Sequence, residues 1–235
     1  MLAQAVFFDV GGTLVFGNFG HIDLLHQALR AIGFKVKRDA VTEANDLARQ
    51  AVARRRRRLA ARMNTVTASR MWLEHLAEAL GVDLGEMDLG AALAGAIRTI
   101  ETGSPARLDP DAPHLLANLR QRGYKLGVIS NWPADLPEYL EGHGLAKFFD
   151  VIVASEAVGS AKPHREIFLR ALAAIGCESR LAVHVGDDYW ADVVGARELG
   201  IAPVLIDRLG EDVHSDCLTI TRLAELSHLL DPHAL

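Results

Sequence analysis

Five short apolar runs, alternating with helical patterns, constrain this chain more than any other feature. They are residues 5–9 (AVFFD), 125–130 (KLGVIS), 150–154 (DVIVA), 181–186 (LAVHVG) and 202–206 (APVLI). Their length suits strands, and their continuity predicts burial on both faces. Helical patterns lie near 110–122, 134–143, 163–176, 190–199 and 221–230. Strand following helix following strand predicts the α/β class, with a doubly wound, mainly parallel sheet covered on both sides. The run 5–9 is expected to be a central strand.

Residues 16–105 break this rhythm. Helices are expected near 21–32, 40–63, 70–80 and 89–101, with no convincing strand between them. A helical insertion of that length, returning through Gly103-Ser104-Pro105, reads as a separate cap over 16–105, leaving 1–15 and 106–235 as the core. Charge divides the same way. The insertion carries thirteen Lys or Arg against ten Asp or Glu, and the remainder twelve against twenty. A mildly basic body beside an acidic one either draws an anion into a cleft or is merely an uneven solvated surface.

With 235 residues, half of them apolar, the chain can bury a sizeable core. Its net charge of -5 gives no overall sign of nucleic-acid binding. The start does not read as a signal peptide, because its short apolar run meets Asp9 at once. No stretch reaches the roughly 18 apolar residues of a membrane span. Cys177 and Cys217 are expected to be reduced thiols of a cytoplasmic protein, monomeric or homodimeric, with no membrane partner.

Polar residues gather at the carboxyl ends of the expected strands, where ligands bind in open parallel sheets. Asp9 ends the first run. Ser130 and Asn131 end the run KLGVI, Asp187 and Asp188 follow LAVHVG, and Lys162 lies in a loop before a helix starting near Pro163. A lone Asp after a strand is usually a helix cap or turn former. Several such ends converging at one edge argue otherwise. Two carboxylates on neighbouring strand ends need a cation, and Mg²⁺ suits all-oxygen ligands.

The motifs DVGGT (9–13), VISN (128–131), GSAKPHREIF (159–168) and GDDYWAD (186–192), in this order and spacing, resemble the haloacid dehalogenase (HAD) superfamily of hydrolases, which are mainly phosphatases. The resemblance covers the core segments, implies a Rossmann-like core, and makes the insertion look like the family's first cap type. It implies that Asp9 is a nucleophile forming an aspartyl-phosphate. Thr13 and Ser130 would donate to phosphoryl oxygens, and Lys162 would offset charge. Mg²⁺ would sit on Asp9, the Gly11 carbonyl and Asp187. Asp192 would bind or orient a metal water, and Asp188 would stand behind them. The substrate implied is a small phosphorylated molecule, met by backbone donors of the Gly11–Thr13 turn including Gly12, by Asn131 and by Trp132.

One position departs from the pattern. Phosphatases of this family usually carry a second Asp two residues after the nucleophile, as general acid and base; here it is Gly11. Three explanations stay open: an acyl or other activated phosphate that needs no acid, a proton supplied by the cap or the substrate, and a binding or scaffold protein with little activity. Dehalogenases of the family resemble this chain but carry an aromatic residue there and work without metal, which Asp187 and Asp192 argue against. Phosphonate-cleaving relatives use a cap lysine, and nothing marks Lys35 or Lys37 as a desolvated amine. In the cap, Ala44, Leu47, Ala48, Ala51, Leu59 and Met63 form an expected apolar stripe. In the run Arg54–Arg58, Arg55 falls on that stripe by spacing. The run is a solvated face, a hold on an anionic substrate through Arg54, Arg55 or Arg58, or a nucleic-acid contact. His184, inside a strand pattern, reads as structural. Trp132 and Tyr189 would line or support a cleft, and Phe16 and Asn18 would begin a hinge.

Overall fold

A computed structural model describes residues 3–16, 21–58, 65–102, 107–208 and 216–230. In chain order the elements are β1 (Ala5–Phe8), β2 (Val15–Phe16), α1 (His21–Ala31), α2 (Arg38–Arg58), α3 (Thr65–Leu80), α4 (Leu89–Thr102), β3 (Arg107–Leu108) and α5 (Ala112–Gln121). There follow β4 (Lys125–Ser130), α6 (Leu136–Gly142), β5 (Val151–Ala154), α7 (Ser155–Val158), α8 (Arg165–Ile175) and β6 (Ala182–Gly186). A π-helical turn Tyr189–Val194 then leads into α9 (Gly195–Arg197), β7 (Ala202–Ile206), β8 (Leu218–Ile220) and α10 (Leu226–Leu229). The chain divides into two compact units: Met1–Phe16 with Arg107–Leu235, and Gly17–Ala106.

The first unit is built on a six-stranded sheet in the order β5-β4-β1-β6-β7-β8, parallel throughout. The chain steps outward from β1 through β4 to β5, then resumes on the other side of β1 at β6. Such a reversal, here at the carboxyl end of β1, is where open parallel sheets bind ligands. Alternation along β1 explains why the run has no polar residue. Val6 and Phe8 enter a core with Leu116, Leu119 and Leu140, whereas Ala5 and Phe7 enter a second core with Ile167, Phe168 and Ala171 of α8. All four are completely buried. Each large side chain so buried contributes about 1.5–3 kcal/mol. Helix α8 shows its own logic. Ile167, Phe168, Ala171, Leu172 and Ile175 share one face, and Gly176 ends the helix in the left-handed conformation that spares it a Cβ clash.

Three details differ from expectation. The helix expected over 190–199 is a π-helical turn followed by three α-helical residues. Its wider turn starts at Asp188, whose Oδ1 accepts from Trp190 N and Ala191 N at 2.9 and 3.0 Å. Strand β8 was not expected, since Leu218 and Thr219 face solvent at the sheet edge and only Ile220 is buried. The antiparallel pair β2–β3 also escaped notice, being two residues long on each side.

The second unit is all helical where it is described. Leu25, Ala28 and Leu29 of α1 pack with Val41, Ala44 and Ala48 of α2, Leu76 and Ala77 of α3, and Leu89 and Leu93 of α4. The buried stripe of α2 is therefore Val41, Ala44, Asn45 and Ala48. Leu47, expected on it, is 46% exposed, and Arg55 is exposed too. The stripe is rotated because Asn45 is drawn inward, its Oδ1 accepting from Trp72 Nε1 at 3.1 Å and Arg49 Nε at 3.2 Å. Leu59 and Met63 lie outside the described residues, as does Asn18. Among the described residues no helix is long and apolar enough to cross a membrane. Cys177 and Cys217 are both free of disulfide.

Candidate active site

Asp9 follows β1, Ser130 ends β4 and Asp187 follows β6, so three neighbouring strands deliver three polar side chains to one edge. Lys162 reaches the same place from the loop before α8. Its Nζ lies 2.6 Å from Asp9 Oδ1 and 2.6 Å from Asp192 Oδ1. Asp192 arrives because the π-helical turn faces it inward. Its Oδ1 also meets His184 Nε2 at 2.8 Å, and its Oδ2 accepts from the Asp188 backbone N–H at 3.1 Å. Gly186 makes that possible, since a Cβ there would stand 2.1 Å from Asp192 Cγ.

The electrostatics are unbalanced. Asp9, Lys162 and Asp192 are buried, and Lys162 lies between the two carboxylates. Burial would lower the Lys162 pKa, but the charges of Asp192 and Asp9 outweigh it and hold the ammonium firmly protonated. Burial likewise works against the Asp192 carboxylate, but Lys162 and the His184 hydrogen bond overcome it and keep its pKa low. Asp9 ends higher than usual, because burial exceeds the help of Lys162 and of the Ser130 hydroxyl. Asp187 is pushed well up, first by burial and then by the charges of Asp9 and Asp192. Asp187 thus has the least compensation. The Thr13 hydroxyl donates to its Oδ1 at 3.5 Å, too long for a strong hydrogen bond.

Oxygen atoms of Asp9, Asp187 and Asp192 lie within 4.8 Å of one another. An all-carboxylate set with one undercompensated member is the donor chemistry of a hard divalent cation. Asp192 contributes with both oxygens already engaged, so Asp9 and Asp187 are the better direct ligands.

The turn after β1 is tight. Thr13, Leu14 and Val15 all direct their backbone N–H groups at Val10 O, and the Gly12 N–H donates to Val15 O at 2.8 Å. No acceptor among the described residues takes the Gly11 N–H. Of the turn amides expected to serve an anion, Gly11 is the one left to do so. Gly12 has φ +76°, and a Cβ on it would fall 2.0 Å from Asp187 Oδ2. Gly12→Ala is therefore expected to cost about 1–3 kcal/mol in backbone strain and to displace Asp187. Thermal melting should show a fall of about 2–4 °C per kcal/mol. An unchanged melting point would show that the turn relaxes freely.

The other expected site residues divide. Asn131 is engaged with the Lys162 backbone, donating from Nδ2 to Lys162 O at 3.0 Å and accepting the Lys162 N–H on Oδ1 at 2.7 Å. It fixes the lysine loop to the end of β4. Trp132 packs on Tyr139, ring centroids 4.8 Å apart, and its Cζ3 would lie 3.7 Å from a Cβ at Gly11. Tyr189 donates its hydroxyl to Asp216 at 2.9 Å. Arg55 lies in the helical unit, apart from these residues in the chain. His184, expected to be structural, is completely buried and holds Asp192 in place. One residue at the site is not among the expected ones. Arg208 touches the turn itself, and its signal was a charged pair, Asp207-Arg208, at the end of β7.

The sequence model of the haloacid dehalogenase-like hydrolases matches residues 3–200. Among curated proteins, the mouse haloacid dehalogenase-like hydrolase domain-containing protein 3 is 39% identical over 118 residues, covering 49% of this chain and 47% of that protein. The glyceraldehyde 3-phosphate phosphatase of Methanothermobacter thermautotrophicus is 33% identical over 131 residues, 51% of this chain and 56% of that one. The chain thus matches about half the length of these relatives. In fold it is similar to a HAD phosphatase from Thermococcus onnurineus, with TM-score 0.60 and 24% identity over 99% of this chain and 100% of that one.

Proposed function

The chain belongs to the haloacid dehalogenase-like hydrolase family, and from that premise we propose a Mg²⁺-dependent phosphatase acting through an aspartyl-phosphate on Asp9. The observation that carries this reading is the Lys162 ammonium bridging Asp9 and Asp192 beside an undercompensated Asp187. Phosphatases among the similar proteins favour the same chemistry.

Asp9, whose Oδ1 lies against Lys162, would attack phosphorus through one carboxylate oxygen and meet the cation through the other. The bond from Asp9 oxygen to phosphorus forms as the bond to the leaving oxygen breaks, and water then displaces Asp9 to release inorganic phosphate. Lys162 favours the ionised form of Asp9 against burial and offsets charge on the transferring group. Ser130, Thr13 and the Gly11 N–H are donors for phosphoryl oxygens. Asp9, Asp187 and the Gly11 carbonyl would hold Mg²⁺, with Asp192 orienting a water. Bound there, the ion would supply positive charge where two carboxylates and a dianion meet.

A second reading has its own observation. Glycine at position 11 offers no side chain to protonate the leaving group, which favours activated phosphates or a weakly active binding protein. Lys35 and Lys37 are exposed, so neither is the desolvated amine of a phosphonate-cleaving site. The test is a panel of aryl, acyl and alkyl phosphates with Mg²⁺ and with EDTA, alongside calorimetric Mg²⁺ titration. Activity is expected on aryl and acyl phosphates, abolished by EDTA. Asp187→Asn is expected to weaken Mg²⁺ by at least the 10–100-fold typical of losing even an outer partner. Unchanged affinity in that variant would place the metal elsewhere, and no activity on any phosphate by a folded, Mg²⁺-binding protein would favour the binding reading.

A further inference from the structure

We propose that Arg208, just beyond the end of β7, is the positioning residue that locks the turn carrying Asp9 to the β2–β3 ribbon. Four contacts from one guanidinium support this. Nη2 donates to Thr13 O at 2.8 Å, and Nε donates to Gly12 O at 3.3 Å. The same Nη2 lies 2.6 Å from Asp109 Oδ2, and Cζ stands 5.0 Å from the centre of the Phe16 ring.

Each partner belongs to a part of the structure that must stay in register. Gly12 and Thr13 form the turn after Asp9. Phe16 lies on β2, the last described residue before the chain leaves the sheet unit, and β2 pairs with β3, where the chain returns. Asp109 follows β3, is 2% exposed, and is held by two backbone bonds of its own. Its N–H donates to Leu14 O at 2.9 Å, and its Oδ1 accepts from Asp111 N at 2.7 Å. A rigid carboxylate thus fixes the guanidinium, and the guanidinium fixes the turn.

The reason for arginine is geometric. Its planar fork presents five donors at fixed angles, enough for two carbonyls and a carboxylate at once, and its flat face lies against an aromatic ring. Lysine keeps the charge opposite Asp109 but has neither fork nor face. By holding the carbonyls of Gly12 and Thr13 outward, Arg208 keeps the Gly11 N–H and the Thr13 hydroxyl aimed where the site lies. The link to turnover rests on the phosphatase reading above; the lock itself does not.

Hydrogen exchange separates the two. In Arg208→Lys, which leaves no unpaired buried charge, the amides of Gly12 to Val15 are expected to exchange about 10-fold faster, the effect of losing one hydrogen bond to a charged group. Amides of β4 and β5 should be unchanged. On an aryl phosphate, kcat is expected to fall about 10–100-fold with KM little altered, as for a displaced catalytic group. Arg208→Met should exaggerate both effects, and added guanidinium should restore part of its rate. Wild-type protection of residues 12–15 in Arg208→Lys would overturn the proposal, whether or not Arg208→Met folds. A wild-type enzyme inactive on all phosphates would sink the phosphatase reading and leave the exchange result to decide the lock.

Discussion

Asp9→Asn is expected to abolish phosphate release, with a loss on the order of 10⁴–10⁶-fold, the scale seen when a nucleophile is removed. An amide oxygen carries no negative charge and does not form the covalent phosphate. The substitution is nearly isosteric, and its carbonyl oxygen can still accept from Lys162. Lys162 also keeps its 2.6 Å partner Asp192. Folding should therefore survive, and the melting point should stay within a few degrees of wild type. One further consequence separates this variant from a merely damaged site. The charge of Asp9 is among the causes that push the Asp187 carboxyl up. Its removal lets Asp187 ionise more readily, although the set loses one ligand. The measurement is phosphate release on an aryl phosphate, with circular dichroism as the folding control. Retention of more than about 1% of the rate, far above what the loss of a nucleophile leaves, would place the nucleophile elsewhere.

Lys162 explains why this cluster can exist in a folded chain. Three carboxylates within 4.8 Å would repel one another, and desolvation would protonate some of them. A single buried ammonium between Asp9 and Asp192 stabilises two of the three. Removing one partner of such a buried pair typically costs about 3–5 kcal/mol, because the other charge is left uncompensated. Asp187 is left as the group that a divalent cation would serve best. The same reasoning assigns Asp192 to support. It receives Lys162, His184 and the Asp188 N–H, and so sets where the ammonium stands.

Much of this was legible in the chain because it follows from local rules. Continuous apolar runs give doubly buried strands, and a carboxylate closing such a run must lie at the strand's end. Strand ends alone therefore bring Asp9, Ser130 and Asp187 to one edge, with Lys162 in a loop beside them. What was not legible depends on approach in three dimensions. Nothing in APVLIDR states that Arg208 reaches back 195 residues to the Thr13 carbonyl. The inward turn of Asp192 required a π-helical geometry that periodicity at 3.6 residues does not reveal. In α2, counting apolar residues placed Leu47 inside and missed Asn45, because a buried amide is chosen by its partner, here Trp72 on α3. Strand β8 failed for the opposite reason. At a sheet edge with one wet face, its three residues carry too little apolar pattern to be seen.

Gly11→Asp is expected to raise activity on alkyl phosphates by about 10²–10³-fold, within the range that a positioned general acid supplies. The turn has room for the change. A Cβ at Gly11 would meet only Trp132 Cζ3, at an ordinary 3.7 Å, and Gly11 is not among the glycines with positive φ. Gly12, one residue on, has neither freedom. An aspartate at position 11 would start beside the Trp132 ring, an apolar neighbour that favours the neutral, proton-bearing form. An alkyl phosphate leaves as an alkoxide and gains most from that proton. An aryl phosphate leaves as a stabilised phenolate and should gain roughly tenfold or less. The ratio of the two rates is therefore the measurement, since it cancels general effects on folding or metal affinity. It should fall in Gly11→Asp by the alkyl gain divided by the aryl gain, about 10–10³-fold. The second step sharpens the test. If water attack on the aspartyl-phosphate limits the wild type, aryl substrates should show a burst of phenolate equal to the enzyme concentration, and the new carboxylate should remove it by activating that water. Equal aryl and alkyl rates in the wild type would show that a proton donor already exists. A folded Gly11→Asp protein with an unchanged ratio would show that position 11 is not where the proton is needed.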